Sequence, residues 1–538
     1  MTALSRRAFL GATALGILGA GALAGCTPSV PGGTAASGNA GAALPKRFPF
    51  AGITPDFVST HDMGLSAFRH YPVDPVSVYK GAPGDGKPIT GLTQLNGPLP
   101  PAVDANPYWQ ELNRRVGSPM KIQQVAAGAD FNTRLATITA GDDLPDMMQI
   151  NSTVPALSAF MTAKMADLTP YLSGDNIRKY PGLANIPTPF WRGCVFDGRL
   201  RALPISRGVY SASVMLNRRD LLEDAGLPSD LTRFSDFEDA CKELTSSSQN
   251  RWALGSNPLA FIRQMQGIPF NWKESGGRFT SAVQDERQED ALEAARSLIA
   301  KGYANPDVAA AAPAQMSQWM LKGSAAFMFS TYATWSALYA QRTDKKTTFG
   351  VYQVPGFSGG SGTGWGGVAN NNIVGFPKAS EARIETLLKT ADYFASPFGS
   401  EEYRFLYYGI EGEDFTLDGG DPVPASADVS HLWLGTRYLG APPVALYYSP
   451  PQSDLVEEVW NHTETYLKTA VFDPSMSLYS ETLSRTGASI GAALVSVEND
   501  IVFGRRPVSA WKDAVKTFMS SGGSKIADEL AKAAEANR

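Results

Sequence analysis

The 538-residue sequence predicts an α/β fold class behind a separate N-terminal segment. Three observations carry this. Helix-period and strand-period signals alternate from residue 106 onward. With 43% hydrophobic and 18% charged residues, the chain can bury a large core and is too apolar for a disordered polymer. The first 48 residues, in contrast, are mostly Gly, Ala, Ser, Pro and Leu, with no acidic residue.

Arg6 and Arg7 open the chain with positive charge, and residues 9–23 are an uncharged run of apolar and small residues. About 15 residues is short of the roughly 20 needed to cross a bilayer as a helix, so the run reads as a signal h-region. It ends in Leu23-Ala24-Gly25-Cys26, which resembles a bacterial lipobox with Cys26 as the first mature residue and its thiol carrying a diacylglycerol. Ser5-Arg6-Arg7-Ala8-Phe9-Leu10 resembles a twin-arginine signal; export by that route or the general one stays open, as does an uncleaved anchor. The expectation is a signal peptide at 1–25 and a flexible tether at 26–48, holding a body lipid-anchored at the extracytoplasmic face of the cell membrane. Residues 1–25 carry two positive charges and no acid, so their removal takes the formal charge from −5 to about −7. That balance argues against a nucleic-acid partner. Three cysteines cannot build a disulfide scaffold; Cys194 and Cys241 read as buried free thiols, with a pairing left open. The four histidines, His61, His70, His431 and His462, form no H-x-x-x-H pair.

Residues 50–107 are rich in Pro and Gly and read as irregular segments with short strands. A helix is expected over 107–116, a strand over 120–125, and a helix over 131–140 with Phe131, Leu135 and Ile138 on one face. After the Pro145-Asp146 turn comes a short buried strand, 147–150. A strand at 214–216 leads to a helix over 218–225, closed by Gly226. Ser235 is the expected cap of a helix burying Phe237, Ala240, Cys241 and Leu244. Further helices are expected at 287–301, 380–394, 400–408, from 507, and 526–534, and strands at 325–329 and 349–354. The alternation is that of α/β units.

In order along the chain, FNTRLATITAGDDLPDMMQI (131–150), SASVMLNRRDLLEDAGLP (211–228), LEAARSLIAKGYANPD (292–307), KGSAAFMFSTYATWS (322–336), FGVYQVPG (349–356), YYGIEGEDF (407–415) and NDIVFGRRPVSAWKDAVKTFMSSGG (499–523) carry a resemblance. They resemble the extracellular solute-binding proteins of ABC importers, in the sugar-binding group and its large lipoprotein branch of alginate-oligosaccharide binders. The resemblance implies a two-lobe periplasmic-binding-protein-like fold with a hinge and an interlobe ligand cleft. Lobe 1 is expected to combine 49–205 with 331–378, and lobe 2 to combine 206–330 with 379–538. It also implies a monomer that captures a saccharide, probes no chemistry on it, and delivers it to ABC permease subunits in the membrane. No cofactor is implied. The branch's acidic calcium loop falls at Thr245-Ser246-Ser247-Ser248-Gln249-Asn250-Arg251, which has no carboxylate, so no metal site is carried over. The acids Glu411, Glu413, Asp414, Asp418 and Asp421 lack EF-hand spacing and read as a solvated loop.

Sugars present C–H faces to aromatic rings and hydroxyls to amides, carboxylates and Arg. In the segments that the resemblance places at the cleft, Gln149 and Asn151 end a strand, and Arg207 and Tyr210 lie at the first expected hinge crossing. Trp272 lies in a segment resembling one that supplies a stacking ring; Tyr332 and Trp335 lie near a second crossing. Trp365 sits in a run with six glycines between 359 and 367, read as a flexible edge bearing one ring, and Trp433 lies in HLWLG. Each ring has core packing as its alternative role; Asn370-Asn371-Asn372 reads as a turn or a hydroxyl binder, and Arg207 as a hinge ion pair or a reader of a uronate carboxylate. The rival functional classes are a secreted glycosidase or lyase, and a binder of a non-sugar solute such as a peptide. No G-x-S-x-G or H-E-x-x-H motif is present.

Overall fold

The computed structural model describes residues 43–426, 428–440, 447–476 and 478–536. The expected signal peptide, Cys26 and the tether up to residue 42 lie outside the described residues.

Two sheets organise the body. Their strands are β1 (Ile89–Leu95), β2 (Met120–Ala126), β3 (Met147–Ile150), β4 (Ala202–Ser206), β5 (Ser213–Arg218), β6 (Trp252–Leu254), β7 (Ala325–Thr331), β8 (Phe349–Val351) and β9 (Asn370–Gly375). The first sheet has the order β2-β1-β3-β9-β4, and the second β8-β5-β7-β6. β1 runs parallel to β2 and β3, whereas β9 runs antiparallel to both β3 and β4. In the second sheet β7 is antiparallel to β5 and parallel to β6. β3 is buried on both faces along its whole length, as expected of an apolar strand covered by helices.

The helices begin and end where local chemistry directs. α1 (Pro107–Val116) starts at Asn106, whose side chain accepts from the Trp109 N–H, and stops at Gly117 with φ 71°. α2 (Ala129–Thr139) buries Phe131, Leu135 and Ile138, the predicted face. α3 (Phe234–Leu244) departs from expectation at its start: Ser235 lies inside the helix, and Asp236 reaches back to the N–H and hydroxyl of Thr232 instead. α4 is Gln288–Ala300. α5 (Glu381–Phe394) and α6 (Glu401–Tyr408) are capped by Ser380 and Ser400. α7 (Ser453–Leu467) and α8 (Glu481–Val502) belong to the C-terminal part.

Each sheet carries its own core. Leu92, Leu112, Phe131, Trp191, Leu203 and Val374 pack with Ile384, Leu388 and Leu434 in the first. Val214, Phe237, Leu292, Phe327, Trp335 and Tyr352 pack with Val459, Ile501 and Trp511 in the second. Full burial of one such side chain contributes about 1.5–3 kcal/mol, so each half is driven together by its own apolar set. The chain crosses between the halves at 207–212 and 352–369, and returns between Leu439 of the first core and Tyr447 of the second.

This packing differs from the lobe boundaries expected above. Tyr332–Gln341 and β8 sit in the second core, and α5, α6 and Leu432–Leu439 in the first. The apolar face of α5 is matched to Leu183 and the first sheet, a long-range fit that no local pattern encodes.

The acidic segment is solvated only in part: Glu411, Glu413 and Asp418 are exposed, whereas Asp414 and Asp421 are not. It forms a hairpin, Phe415–Asp418 with Asp421–Pro424. Asp421 is buried and accepts from the Tyr71 N–H at 2.6 Å and the Tyr448 hydroxyl at 2.7 Å, with His70 Nδ1 2.7 Å away. Asp414 accepts from the Ile410 N–H at 2.7 Å and pairs with His431. These carboxylates hold separate segments together. Cys194 and Cys241 are both free, one in each core. Among the described residues no helix is long and apolar enough to cross a membrane.

Candidate ligand cleft

In sheets of this kind ligands sit outside the carboxyl ends of the strands. β1, β2, β3 and β4 all end at one edge, and antiparallel β9 begins there, Asn370 facing Ser206 across the ladder. That edge is therefore followed by Asn96, Asn151 and Arg207, with Asn370 beside them. β5 starts at Ser213 after only six connecting residues, which span at most about 25 Å. The facing edge of the second sheet holds Ser213 and Thr331, and Trp365 bridges to Ser213.

The open part of this edge is a cavity of about 180 Å³ lined by Gln94, Asn96, Tyr407, Trp433, Arg437 and Tyr438, among others. Trp433 is 37% exposed, and its indole lies over Gly97. A Cβ at Gly97 would sit 1.9 Å from the ring, so only glycine admits this placement. The supporting loop turns at Gly435, φ 78°, directly against Thr93. It is anchored upstream by His431, whose Nε2 lies 2.7 Å from Asp414 Oδ1 and whose carbonyl accepts from Asn106 Nδ2 at 2.9 Å. Tyr407 stacks on Tyr403 with centroids 4.0 Å apart, and the Arg437 guanidinium stands 5.2 Å from the Tyr407 ring. Asn96 Nδ2 donates to the Tyr438 hydroxyl at 3.1 Å. Burial pushes the Tyr407 and Tyr210 phenols up, so both remain neutral hydrogen-bond donors.

Several anticipated residues sit at this edge in varying degrees. Asn151 is half-buried and donates to Asn132 Oδ1 at 2.9 Å. Arg207 is half-buried at the crossing, with its N–H donating to the Ala369 carbonyl at 2.8 Å. No ion pair forms at Arg207 among the described residues, contrary to the hinge-pair alternative. Tyr210 packs against Tyr447 at 5.8 Å. Gln149, in contrast, is fully buried, and its Oε1 accepts from the Thr93 hydroxyl and the Gln94 N–H at 3.1 and 2.9 Å, so it ties β3 to β1 beneath the edge.

Four rings lie elsewhere. Tyr332 and Trp335 are wholly enclosed in the second core, the first with its hydroxyl 2.7 Å from His462 Nδ1 and the second donating to the Phe349 carbonyl at 3.2 Å. Trp272 is buried with Phe279, Ile526 and Leu530. Trp365 is 7% exposed, stacks on Phe270 at 5.1 Å, and donates to the Ile268 carbonyl at 3.0 Å. The glycines around it are close-packing sites and not a loose edge: a Cβ at Gly364 would meet Tyr466 at 2.5 Å and one at Gly366 would meet Phe472 at 2.3 Å. Trp272 and Trp365 share a second cavity of about 440 Å³ with the inner face of α8. The sequence reading missed Gln94, Asn96, Tyr407, Arg437 and Tyr438; its one usable signal was that Tyr407 opens YYGIEGEDF and that Arg437-Tyr438 follow Trp433 closely.

Comparison with known proteins agrees with this architecture. The Bacillus subtilis (strain 168) polygalacturonan/rhamnogalacturonan-binding protein YtcQ is 23% identical over 422 residues, covering 74% of this chain and 82% of its own. Lipoprotein LipO of the same organism is 21% identical over 480 residues, covering 84% of this chain and 93% of its own. The crystal structure of alginate-binding protein AlgQ2 without calcium ion superposes with TM-score 0.60 at 14% identity, over 85% of this chain and 99% of that one, and shares the two-lobe fold. Residues 104–397 match the family model of the bacterial extracellular solute-binding protein, and the chain belongs to that family.

Proposed function

We propose that this protein is the substrate-binding component of an ABC importer, capturing a saccharide of several units between its lobes and releasing it unaltered to a membrane permease. The observation that carries the reading is the cavity at the carboxyl edge of the first sheet. A solvent-facing indole and two phenols stand there among Gln94 and Asn96, the combination that covers sugar faces and binds hydroxyls. The relatives named for polygalacturonan and alginate binding support the substrate class. Closure follows from differential contact: a ligand touching both lobes only when they are shut shifts that population. Cys26 anchors the mature protein by its lipid at the extracytoplasmic face, in line with the lipoprotein relative. The body acts as a monomer. The lobes follow the two cores, with α5 and α6 in the first and α7 and α8 in the second.

A binding role is favoured over glycoside hydrolysis by the lining itself. Hydrolysis needs two carboxyl groups about 5–10 Å apart across the scissile bond, and no Asp or Glu lines this cavity among the described residues. The test is a titration of the mature soluble body with a panel of oligosaccharides, followed by tryptophan fluorescence and melting temperature, with recovery of the ligand. Saturable change with intact ligand is expected. Shortened product would make the protein an enzyme, and a response to peptides but to no saccharide would end the sugar reading. For the anchor, Cys26→Ala is expected to move the protein from the detergent phase to the aqueous phase.

A further inference from the structure

The chain also crosses between the halves near its start. The Phe48 N–H donates to the Ala184 carbonyl at 2.7 Å in the first half, and Leu65 and Ala67 are fully enclosed in the second core. The Tyr71 hydroxyl then donates to the Ser400 carbonyl at 2.6 Å, at the cap of α6 and in the first half again. Residues 49–71 are therefore a strap that leaves the first lobe, embeds in the second and returns. The return is abrupt. Arg69 pairs with Glu457 on α7 of the second lobe. The next two residues bind Asp421, on the hairpin after α6: the Tyr71 N–H donates to its Oδ1 at 2.6 Å, and His70 Nδ1 lies 2.7 Å from its Oδ2. Asp421 also holds the crossing that enters the second core at Tyr447. Ala67–Phe68 pairs in parallel with Tyr447–Tyr448, and the Tyr448 hydroxyl donates to Asp421 Oδ1 at 2.7 Å. One buried carboxylate thus ties two crossings to the first lobe. The rings of Phe68, Tyr71 and Tyr448 each pack on Phe398, with centroids 4.3, 4.8 and 4.8 Å away, in a cluster separate from both main cores.

The crossings at 207–212 and 352–369 are locked to each other at a second joint. The Val368 N–H donates to the Ser211 hydroxyl at 2.9 Å, and that hydroxyl donates to the Gly208 carbonyl at 2.8 Å. A Cβ at Gly367 would stand 2.7 Å from Ser211 Oγ and 2.8 Å from the Ala212 nitrogen, so glycine is what lets the two segments touch. The strap reaches this joint as well, where the Met63 carbonyl accepts from the Val209 N–H at 2.8 Å. The chain from Met63 to Phe68 spans at most about 18 Å, so the strap runs directly from one joint to the other. A body held at two points turns only about the line joining them, and hinges are a few residues at element ends between packed bodies. We infer that the lobes turn about one axis that follows the strap from Ser211–Gly367 to Asp421, and that Asp421 is the positioning residue that confines closure to this rotation. Without its carboxylate the Tyr71 N–H and the Tyr448 hydroxyl lose their common acceptor, and two crossings come free of the first lobe. The assignment needs only the two-lobe fold and holds for whatever solute the cleft takes.

The experiment measures the distance between the lobes in the mature soluble body lacking Cys26, with spin labels at Ala136→Cys on α2 and Ala488→Cys on α8, both exposed positions. Pulsed electron paramagnetic resonance reads the distance distribution without any ligand, so the result is independent of the saccharide reading. The parent is expected to give one narrow distribution. Asp421→Ala and, at the other joint, Ser211→Ala are each expected to widen it about twofold. Asp421→Asn keeps an acceptor for the Tyr71 N–H and the Tyr448 hydroxyl and is expected to fall between. Leu388→Ala, in the first core and in neither joint, is expected to lower the melting temperature and leave the width unchanged. A folded Asp421→Ala or Ser211→Ala with the parental width overturns the axis. Equal widening in Leu388→Ala also overturns it, because general loosening then explains the effect. If Asp421→Ala fails to fold, Asp421→Asn decides by the same measure.

Discussion

Asp392 offers a quantitative test of how the first core is built. It lies on α5 with 2% of its surface exposed, and its carboxylate accepts from the Leu183 N–H at 2.9 Å and the Tyr79 hydroxyl at 2.8 Å. Among the described residues no cation pairs with it, and burial pushes its carboxyl up to about 7 from an ordinary value of 3.8. A folded-state value raised above the unfolded one fixes the sign. Below pH 3.8 both states are protonated and stability is full. Between pH 3.8 and 7 the unfolded chain ionises while the folded one does not, so stability falls as pH rises, at about 1.4 kcal/mol per pH unit. The accumulated loss at pH 8 is about 4 kcal/mol. Asp392→Asn cannot ionise, and its amide can still accept from Leu183 and donate to the Tyr79 oxygen. The assay is thermal melting of both proteins from pH 4 to pH 8. The two are expected to be close at pH 4, and the variant is expected to gain steadily up to pH 7. The difference between the two curves removes every other titrating group, including His462, which burial lowers to about 4 and whose contribution runs the other way, fading as pH falls. Parallel curves, or a variant that loses ground as pH rises, would refute the reasoning.

Other outcomes follow from burial. Trp433→Ala is expected to weaken saccharide binding while costing less than about 1 kcal/mol of stability, because the indole is 37% exposed. Trp365→Ala should instead cost about 3–5 kcal/mol in chemical unfolding, since that ring fills a site between Phe270 and the Ile268 carbonyl. Gly97→Ala places a methyl against the Trp433 ring and is expected to reduce affinity with little change in melting temperature, measured on the same samples. In the mature body lacking Cys26, Cys194 and Cys241 should react with a thiol reagent only after denaturation, because burial raises both thiols and encloses them; reaction of either in the native state would contradict their placement.

What could be read from the chain alone was what neighbours in sequence decide. The helices expected over 107–116, 380–394 and 400–408, the turn at Gly226, and the Phe131, Leu135, Ile138 stripe are properties of a few consecutive residues, and the α/β alternation is their sum. So was the place of Arg207 and Tyr210 at a crossing, since β4 and β5 are separated by a short non-periodic segment. Contacts across hundreds of residues decided the rest. A tryptophan flanked by glycines has no local tendency toward inside or outside; Tyr466 and Phe472, about a hundred residues later, filled the space beside Gly364 and Gly366 and drew Trp365 in. A tryptophan in HLWLG is no more apolar, yet Gly97 and the Thr93–Gly435 contact hold Trp433 at the surface of the cleft. α5 and α6 joined the first core because their apolar faces fit there, whatever their place in the chain. Arg437 carries no sequence mark at all: what places it on the lining of the cavity, with its guanidinium beside the Tyr407 ring, is the tertiary structure.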